Sequence, residues 1–531
     1  MAAVARPFPA SRFLGHLHGL AYHWQALIVV VLGSFMVVLD TTIVNVALPR
    51  IIQVFGTNVN EGQLVLTGYM LALAVIMPAT GYAADTFGSK RVYLTVIALF
   101  TLGSALCGLA PNIEGLILFR VIQGLGGGMV MPLGMSLLFQ VAPPGQRGAI
   151  MGIFGLPLLV APVIGPTLGG YLVEYVDWRP IFTLNIPVGI LALIAGMAIL
   201  RETPTHHGTR FDWAGFILSA IGFSAAMMAL EKVPEDGWSN LNVVIMLMIA
   251  ATAIPCWIVV ELAQDQPLLD LSVLKDRTYF VATLVTFVTT IAMYSSLLLL
   301  PLFLQNVRGL GAMETGMLLL PQAIAAAIMM PISGRLLDRF GPKPLVIPGT
   351  LALAYATWLL ADLDPNTTDQ AIRWVLLLRG FAMGIMMMPV MTVAMDTIPH
   401  HQISRASALS NVLRQLFGAF STAWFASILL DRQHFHQAIL SQTVTASNIA
   451  AVNVLSAAKV AMLQQGLSDA AANVAGLMAL TRQVSITAAV RGFDDCFYLA
   501  TFVTLAGLLP TLWLKRGHKS APAEGEVVLL D

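Results

Sequence analysis

Apolar residues fall in runs of about twenty, separated by short polar breaks, along the whole chain. A helix needs about 20 predominantly apolar residues to cross the hydrocarbon core of a bilayer. The pattern therefore predicts fourteen spanning helices, near 26–48, 64–84, 92–110, 114–140, 148–173, 180–200, 213–231, 241–262, 279–304, 314–335, 344–361, 371–395, 405–429 and 496–514. An even number puts both termini on one side, and the basic residues choose it. Lys90, Arg91, Arg147, Arg201, Arg210, Lys275, Arg277, Arg335, Arg339, Lys343 and Arg405 lie in or beside even-numbered loops, whereas the odd ones hold few: Arg50, Arg179, Lys232, Arg308 and Arg373. Excess Lys and Arg mark the cytoplasmic side. Both termini are thus expected in the cytoplasm, with 1–25 as a lead-in and 516–531 as a tail.

Composition agrees: 57% of residues are hydrophobic and 11% charged, with a mean hydropathy of +0.80, against about 25% charged in a soluble domain. The basic and acidic residues balance at 28 each, which points to no nucleic-acid partner. Cys107, Cys256 and Cys496 are too scattered for a disulfide framework or a zinc site and are expected to be buried apolar residues. The first 24 residues have two arginines but no long apolar core, so a cleaved signal peptide is not expected.

One connection, 431–495, is too long for a turn and falls on the outer side. Its Ala-rich stretch has helix-like apolar spacing, so a helical hairpin is expected; a fifteenth and sixteenth spanner compete, against which Lys459, Asp469 and Arg482 stand. It is either a passive connector or a docking surface for an extracytoplasmic adaptor protein.

"GYAADTFGSKR" and "GRLLDRFGPKP" share the spacing G-x3-D-x2-G-x-K, pairing Gly81 with Gly334, Asp85 with Asp338, Gly88 with Gly341 and Lys90 with Lys343. Two copies in matching topology imply duplicated halves related by an axis along the membrane normal. The offset of 253 residues exceeds six helices with short loops, and the helices at 213–231 and 241–262 fill the difference. The expected architecture is all-α, six plus two plus six: a bundle over 26–200, an insertion over 201–277 and a bundle over 278–515 that carries the long loop.

With "LDTTIVNVALP" in the first helix, "GYAADTFGSKR" after the second, "RVIQGLGGG" in the fourth and "GLPLLVAPVIGPTLGGYL" in the fifth, the chain resembles the major facilitator superfamily, and within it the fourteen-spanner drug:proton antiporter branch. "WRPIFTLNIPVGI", "PLLDLSVLKDRTY" and "NVLRQLFGAF" add markers of that branch. The resemblance implies a cytoplasmic gate around Gly81, Asp85, Gly88, Lys90, Arg91 and Asp338, although Thr86 and Ser89 stand where that family often has basic residues. It further implies a bendable fifth helix shaped by Gly155, Pro162, Gly165, Pro166, Gly169 and Gly170. Close helix packing alone would also account for such glycines, and Asp85 would also suit a solvated loop. The resemblance offers Asn45, Tyr69, Gln123, Asn185, Asn411 and Gln415 as cavity or gate residues.

Charges inside the spanners are the most informative residues, because an ionisable group there costs about 2.5 to 3.5 kcal/mol on insertion scales. By helical rise Asp40 lies roughly 13 Å from the outer end of its helix and Arg120 roughly 10 to 12 Å from that of its own. The two are expected to communicate, directly or through water. Burial favours the protonated acid and a nearby guanidinium the ionised one, so a small rearrangement would load or release a proton; a static ion pair is the competing reading. Arg379 and Arg414 project to mid-membrane with no acid in their helices at that depth. Each would either attract an anionic substrate or bind backbone carbonyls. "GIMMMPVM", Gly384 to Met391, suits an adaptable cavity wall.

No G-x4-G-K-[ST] occurs, so ATP is not the expected energy source. No cofactor is expected, and the His206–His207 and His400–His401 pairs are not read as metal ligands. The expected function is proton-coupled multidrug efflux of small amphipathic or lipophilic compounds across the cell (inner) membrane by alternating access. A dedicated exporter of one metabolite, fatty acid or siderophore is the alternative within transport. A membrane-embedded enzyme or sensor lacks a nucleophile–base arrangement or a soluble signalling domain.

Overall fold

The computed structural model describes residues 20–203, 205, 210–445, 448–466 and 468–514. The tail, most of the lead-in and the His206–His207 pair lie outside the described residues. Six helices form the first bundle: α1 (Tyr22–Phe55), α2 (Val59–Phe87), α3 (Ser89–Gly108), α4 (Ile113–Val141), α5 (Arg147–Tyr175) and α6 (Pro180–Ile199). Two follow as a hairpin, α7 (Trp213–Asp236) and α8 (Leu241–Ala263). The second bundle comprises α9 (Arg277–Val307), α10 (Met313–Phe340), α11 (Lys343–Asp362), α12 (Asp369–Asp396) and α13 (Ile403–Thr443). After the short α14 (Ile449–Gln464) it is completed by α15 (Asp469–Trp513). Fourteen helices, all except α14, are long and apolar enough to cross a membrane.

The pattern of a soluble protein is inverted here. Leu191, Ile194 and Met197 of α6 and Ile245, Met248 and Val259 of α8 are exposed, whereas Asp40, Ser104, Arg120, Gln123, Asn185 and Arg379 are buried. Where lipid is as apolar as leucine, helices associate through close packing of small residues and through interior polar groups. The "GLGGG" run shows the first of these. A Cβ on Gly124 or Gly128 would stand 2.6 or 2.7 Å from backbone oxygens of α2, and one on Gly126 would stand 2.7 Å from Val96 O of α3. Gly126→Val therefore forces α3 and α4 apart. It should destabilise the protein by about 1 to 3 kcal/mol, the usual range for overpacking, visible as a lower thermal midpoint in detergent.

The inserted hairpin is asymmetric. α8 packs chiefly against α7 and the short turn at Leu271–Lys275, and just 17% of its most apolar window is buried. α7, by contrast, contacts α2 of one bundle and α13 of the other. Thr67 donates to Glu231 and Gln63 to Glu235, while Trp238 at the tip of the hairpin donates to Ser427 of α13.

The long connection also differs from a separate hairpin. α13 runs 41 residues and α15 runs 45, or roughly 60 Å each at 1.5 Å per residue, about twice the hydrocarbon thickness. Both continue out of the bilayer, and α14 packs on α15. The predicted span at 496–514 is thus the membrane portion of a helix that begins near Asp469. Asp495 ties the two long helices by accepting from Arg432 at 2.6 Å and pairing with His436 at 2.7 Å. α14 has 16 residues, too few for an added spanner.

Candidate functional site

Asp40 and Arg120 meet directly. Arg120 Nη1 donates to Asp40 Oδ2 at 2.6 Å, with the two side chains 1% and 0% exposed. Gln123 Nε2 and Asn185 Nδ2 each donate to Oδ1 at 2.9 Å, so the carboxylate on α1 is held from α4 and α6 together. Ser104 of α3 accepts from both amides, at 3.0 and 2.9 Å, and its own hydroxyl donates to Phe182 O. Arg120 is further fixed by Gln123 Oε1 at 2.8 Å, by Val65 O at 3.2 Å and by the Tyr69 ring 3.9 Å away. A carboxyl group accepting three donors, opposite a guanidinium that donates to neutral oxygens as well, is a connected buried network.

Of the residues that the sequence offers here, Asn185, Gln123 and Tyr69 therefore surround the ion pair and do not line the open cavity. Asn45 is exposed and outside the network. Ser104 was not foreseen. A serine in an apolar helix carries no charge signal, and only its neighbours reveal its part.

The duplicated loops build a second constellation. Asp85, at the end of α2, accepts from Arg405 Nε of α13 at 3.2 Å. Asp338, its repeat partner on α10, accepts from the backbone N–H groups of Gly148 and Ala149 at 3.1 and 3.4 Å. Those donors are at the free N-terminus of α5, where a carboxylate complements the helix dipole. Each acid thus reaches across to the opposite bundle. The paired glycines make room for it: a Cβ on Gly81 would stand 3.1 Å from the Arg405 backbone, and Gly334 and Gly148 pack backbone to backbone. Gly88 and Gly341 take φ of +89° and +83°, as the tight exits after the two acids require.

Further bonds seal the same end: Arg147 to Asp396 at 3.1 Å, Ser136 to Ser404 at 2.8 Å and Ser407 to Pro132 O at 2.9 Å. Lys90 and Arg91 do not belong to this seal. Lys90 Nζ donates to Met197 O at 3.0 Å, and Arg91 pairs with Glu202 at 3.4 Å, both at the end of α6 in the same bundle.

A cavity lies within the second bundle and extends to its seam with α5 of the first. One portion is lined by Thr286, Thr289, Thr290 and Met293 of α9, by Leu353 of α11, by Met383, Met386, Met387 and Met391 of α12, and by Arg414 of α13. A second adjoins it through Met293 and Met383 and reaches Leu158 and Pro162 of α5 and Leu319 and Gln322 of α10. The methionine-rich run therefore divides: Met386, Met387 and Met391 face the cavity, while Met388 packs where a Gly155 side chain would go.

Such a cavity reaching the seam of two six-helix bundles, sealed at the end that carries the repeated loops, matches the Major Facilitator Superfamily, whose family profile covers residues 30–422. This chain belongs to that superfamily. The most similar relatives include an uncharacterized transporter of this superfamily from Bacillus subtilis, YhcA, 35% identical with 93% of each chain covered. They also include the multidrug resistance protein B homolog of Mycobacterium tuberculosis, 34% identical over 93% of this chain and 91% of that protein. The multidrug export protein EmrB of Escherichia coli is 32% identical over 78% and 82%. Among solved structures the human organic anion transporter MFSD10 shares the fold, with a TM-score of 0.60 at 15% identity over 93% of this chain and 99% of that one. The chain is a multi-pass membrane protein of this superfamily.

The fifth-helix motif of this superfamily member acts in two places. Gly165 and Gly169 lie against Thr42 and Ile43 of α1, just beyond Asp40, where an added Cβ would stand 3.0 Å from Thr42 Cβ and 2.8 Å from Ile43 Cγ1. Gly155 meets α12 of the other bundle, and Pro162 lines the cavity. Gly170 has open space beside it and is not a packing position. Pro162 and Pro166 each remove one backbone donor inside α5.

The two mid-membrane arginines separate as well. Arg379 is fully buried and donates to Thr357 Oγ1 at 2.6 Å and Ala292 O at 2.7 Å, so it organises packing. Arg414 faces the cavity. Asn411 accepts from it, and Gln415 is half-buried and not among the lining residues.

Proposed function

We propose that this chain is a proton-coupled exporter of the multidrug type, moving amphipathic or lipophilic compounds out across the cell (inner) membrane by alternating access. The observation that carries this reading is the buried Asp40–Arg120 pair, held by three further helices at a distance from the cavity wall. The names of its relatives, multidrug export and resistance proteins, support the substrate range. The Lys and Arg bias supports placing the sealed end and both termini in the cytoplasm.

In this account the closed seal is the outward-facing state. A proton that enters from the open side neutralises Asp40 and leaves Arg120 without its counter-ion inside a low-dielectric bundle, which is costly unless the helices rearrange. The route to the seal is short. α1 presses on α5 through Gly165 and Gly169, and the other end of α5 carries Gly148, Gly152 and Gly155 against the opposite bundle. A shift of α1 relative to α5 thus bears on the contact that must open toward the cytoplasm.

Inside-out vesicles that contain the protein should accumulate a lipophilic dye against its gradient when acidified inside. Nigericin, which collapses the proton gradient, should return the dye to equilibrium. Accumulation that persists with the gradient collapsed would overturn the reading.

A further inference from the structure

Among the described residues the cavity lining holds one charged side chain, Arg414. Among the described residues Arg414 has no carboxylate within ion-pair reach; its two side-chain partners are neutral, Asn411 Oδ1 at 2.5 Å and Met391 Sδ at 3.7 Å. Asn411 is committed to presenting that oxygen, because its Nδ2 donates to Ser407 O at 2.9 Å. A guanidinium has five N–H donors in a planar fork, so three remain after these contacts. Of the three lining threonines, Thr286 donates to Ala282 O and Thr289 to Thr286 O within their own helix, which leaves the Thr290 hydroxyl as a neutral donor beside the guanidinium. The remaining wall around Arg414 is largely methionine and leucine, apolar and adaptable.

Resting on the export reading above, we infer that Arg414 selects the charge of the cargo: the preferred substrates are lipophilic monoanions whose carboxylate or similar planar anion supplies the counter-ion that the cavity lacks. Asp40 cannot offset this preference, because it is 0% exposed and already shared among Arg120, Gln123 and Asn185. A cation in the same space would face Arg414 with no acid to offset it. The two bundles thus divide the work, the proton in the first and the anion in the second.

The test uses full-length protein in detergent and in proteoliposomes, with pyrenebutyrate, its methyl ester and tetraphenylphosphonium as probes. Wild type should bind the acid most tightly. Arg414→Gln should weaken pyrenebutyrate by roughly 30-fold or more, the lower end for losing one partner of a buried charge pair. The ester should change less than threefold, and tetraphenylphosphonium should bind better. Arg414→Lys, which keeps the charge without the fork, should recover part of the acid's affinity. Equal losses for all three probes in the Gln variant, or a wild type that binds ester and cation as well as acid, would overturn the inference; the wild-type comparison decides even if the Gln variant fails to fold. If wild type binds the acid but does not transport it in energised proteoliposomes, the export reading fails and the charge assignment stands. If it transports all three probes alike, the assignment fails and the export reading stands.

Discussion

Replacing Asp40 with Asn is expected to lower gradient-driven export at least 100-fold while leaving the protein inserted and able to bind substrate. Asn keeps the shape and can still accept from Arg120, which now donates to Asp40 Oδ2 at 2.6 Å, but it cannot carry a proton on and off. A hundredfold loss corresponds to about 2.7 kcal/mol, just below the roughly 3 to 5 kcal/mol that removing one partner of a buried pair imposes. Binding should fall little, because Asp40 is fully buried and the cavity wall is formed chiefly by α5, α9, α10, α12 and α13. Export in vesicles and binding in detergent, measured on the same preparation with its elution profile as the folding check, separate coupling from stability.

Gly148→Val should abolish turnover by a different route. Its backbone packs on that of Gly334, and its N–H donates to Asp338 at 3.1 Å. A branched side chain there meets backbone, which cannot turn aside as a flexible side chain can. The sealed state should be lost and the transporter held open at that end. A cysteine introduced at Ser136, now bonded to Ser404 at 2.8 Å in the seal, should then react at least tenfold faster with a membrane-impermeant maleimide than it does beside the native glycine. Unchanged labelling with unchanged export would show that the Gly148–Gly334 contact is not part of the gate.

The spanners, the duplication and the ion pair were legible in the sequence for one physical reason: a membrane taxes polarity, so each charge inside a spanner is a signal. Asp40 and Arg120 sit at matching depth on antiparallel helices of one bundle, and their meeting follows from the rise per residue. Arg379 and Arg414 looked alike by the same measure and proved different. Depth does not reveal rotation about the helix axis, and only that rotation puts Arg379 on Thr357 and Arg414 in the cavity. Ser104 escaped notice because a neutral residue in an apolar helix reads the same wherever it faces. Lys90 and Arg91 stand beside Asp85 in the motif, yet they turn to α6 because a positive-φ glycine separates them from the acid. Hydropathy measures length and cannot name neighbours, so the wedging of α7 between α2 and α13 was not visible. Nor was the outward continuation of α13 and α15, because polar and alanine-rich residues extend a helix as readily as apolar ones.

The most direct test of the central claim follows protons during transport. Proteoliposomes that contain wild-type protein and a pH-sensitive dye should show a pH change inside when a substrate gradient is imposed, in the direction opposite to substrate flow, and Asp40→Asn should show none even where substrate still equilibrates. Proton movement of normal size in the Asp40→Asn protein would contradict the assignment of Asp40 as the proton site.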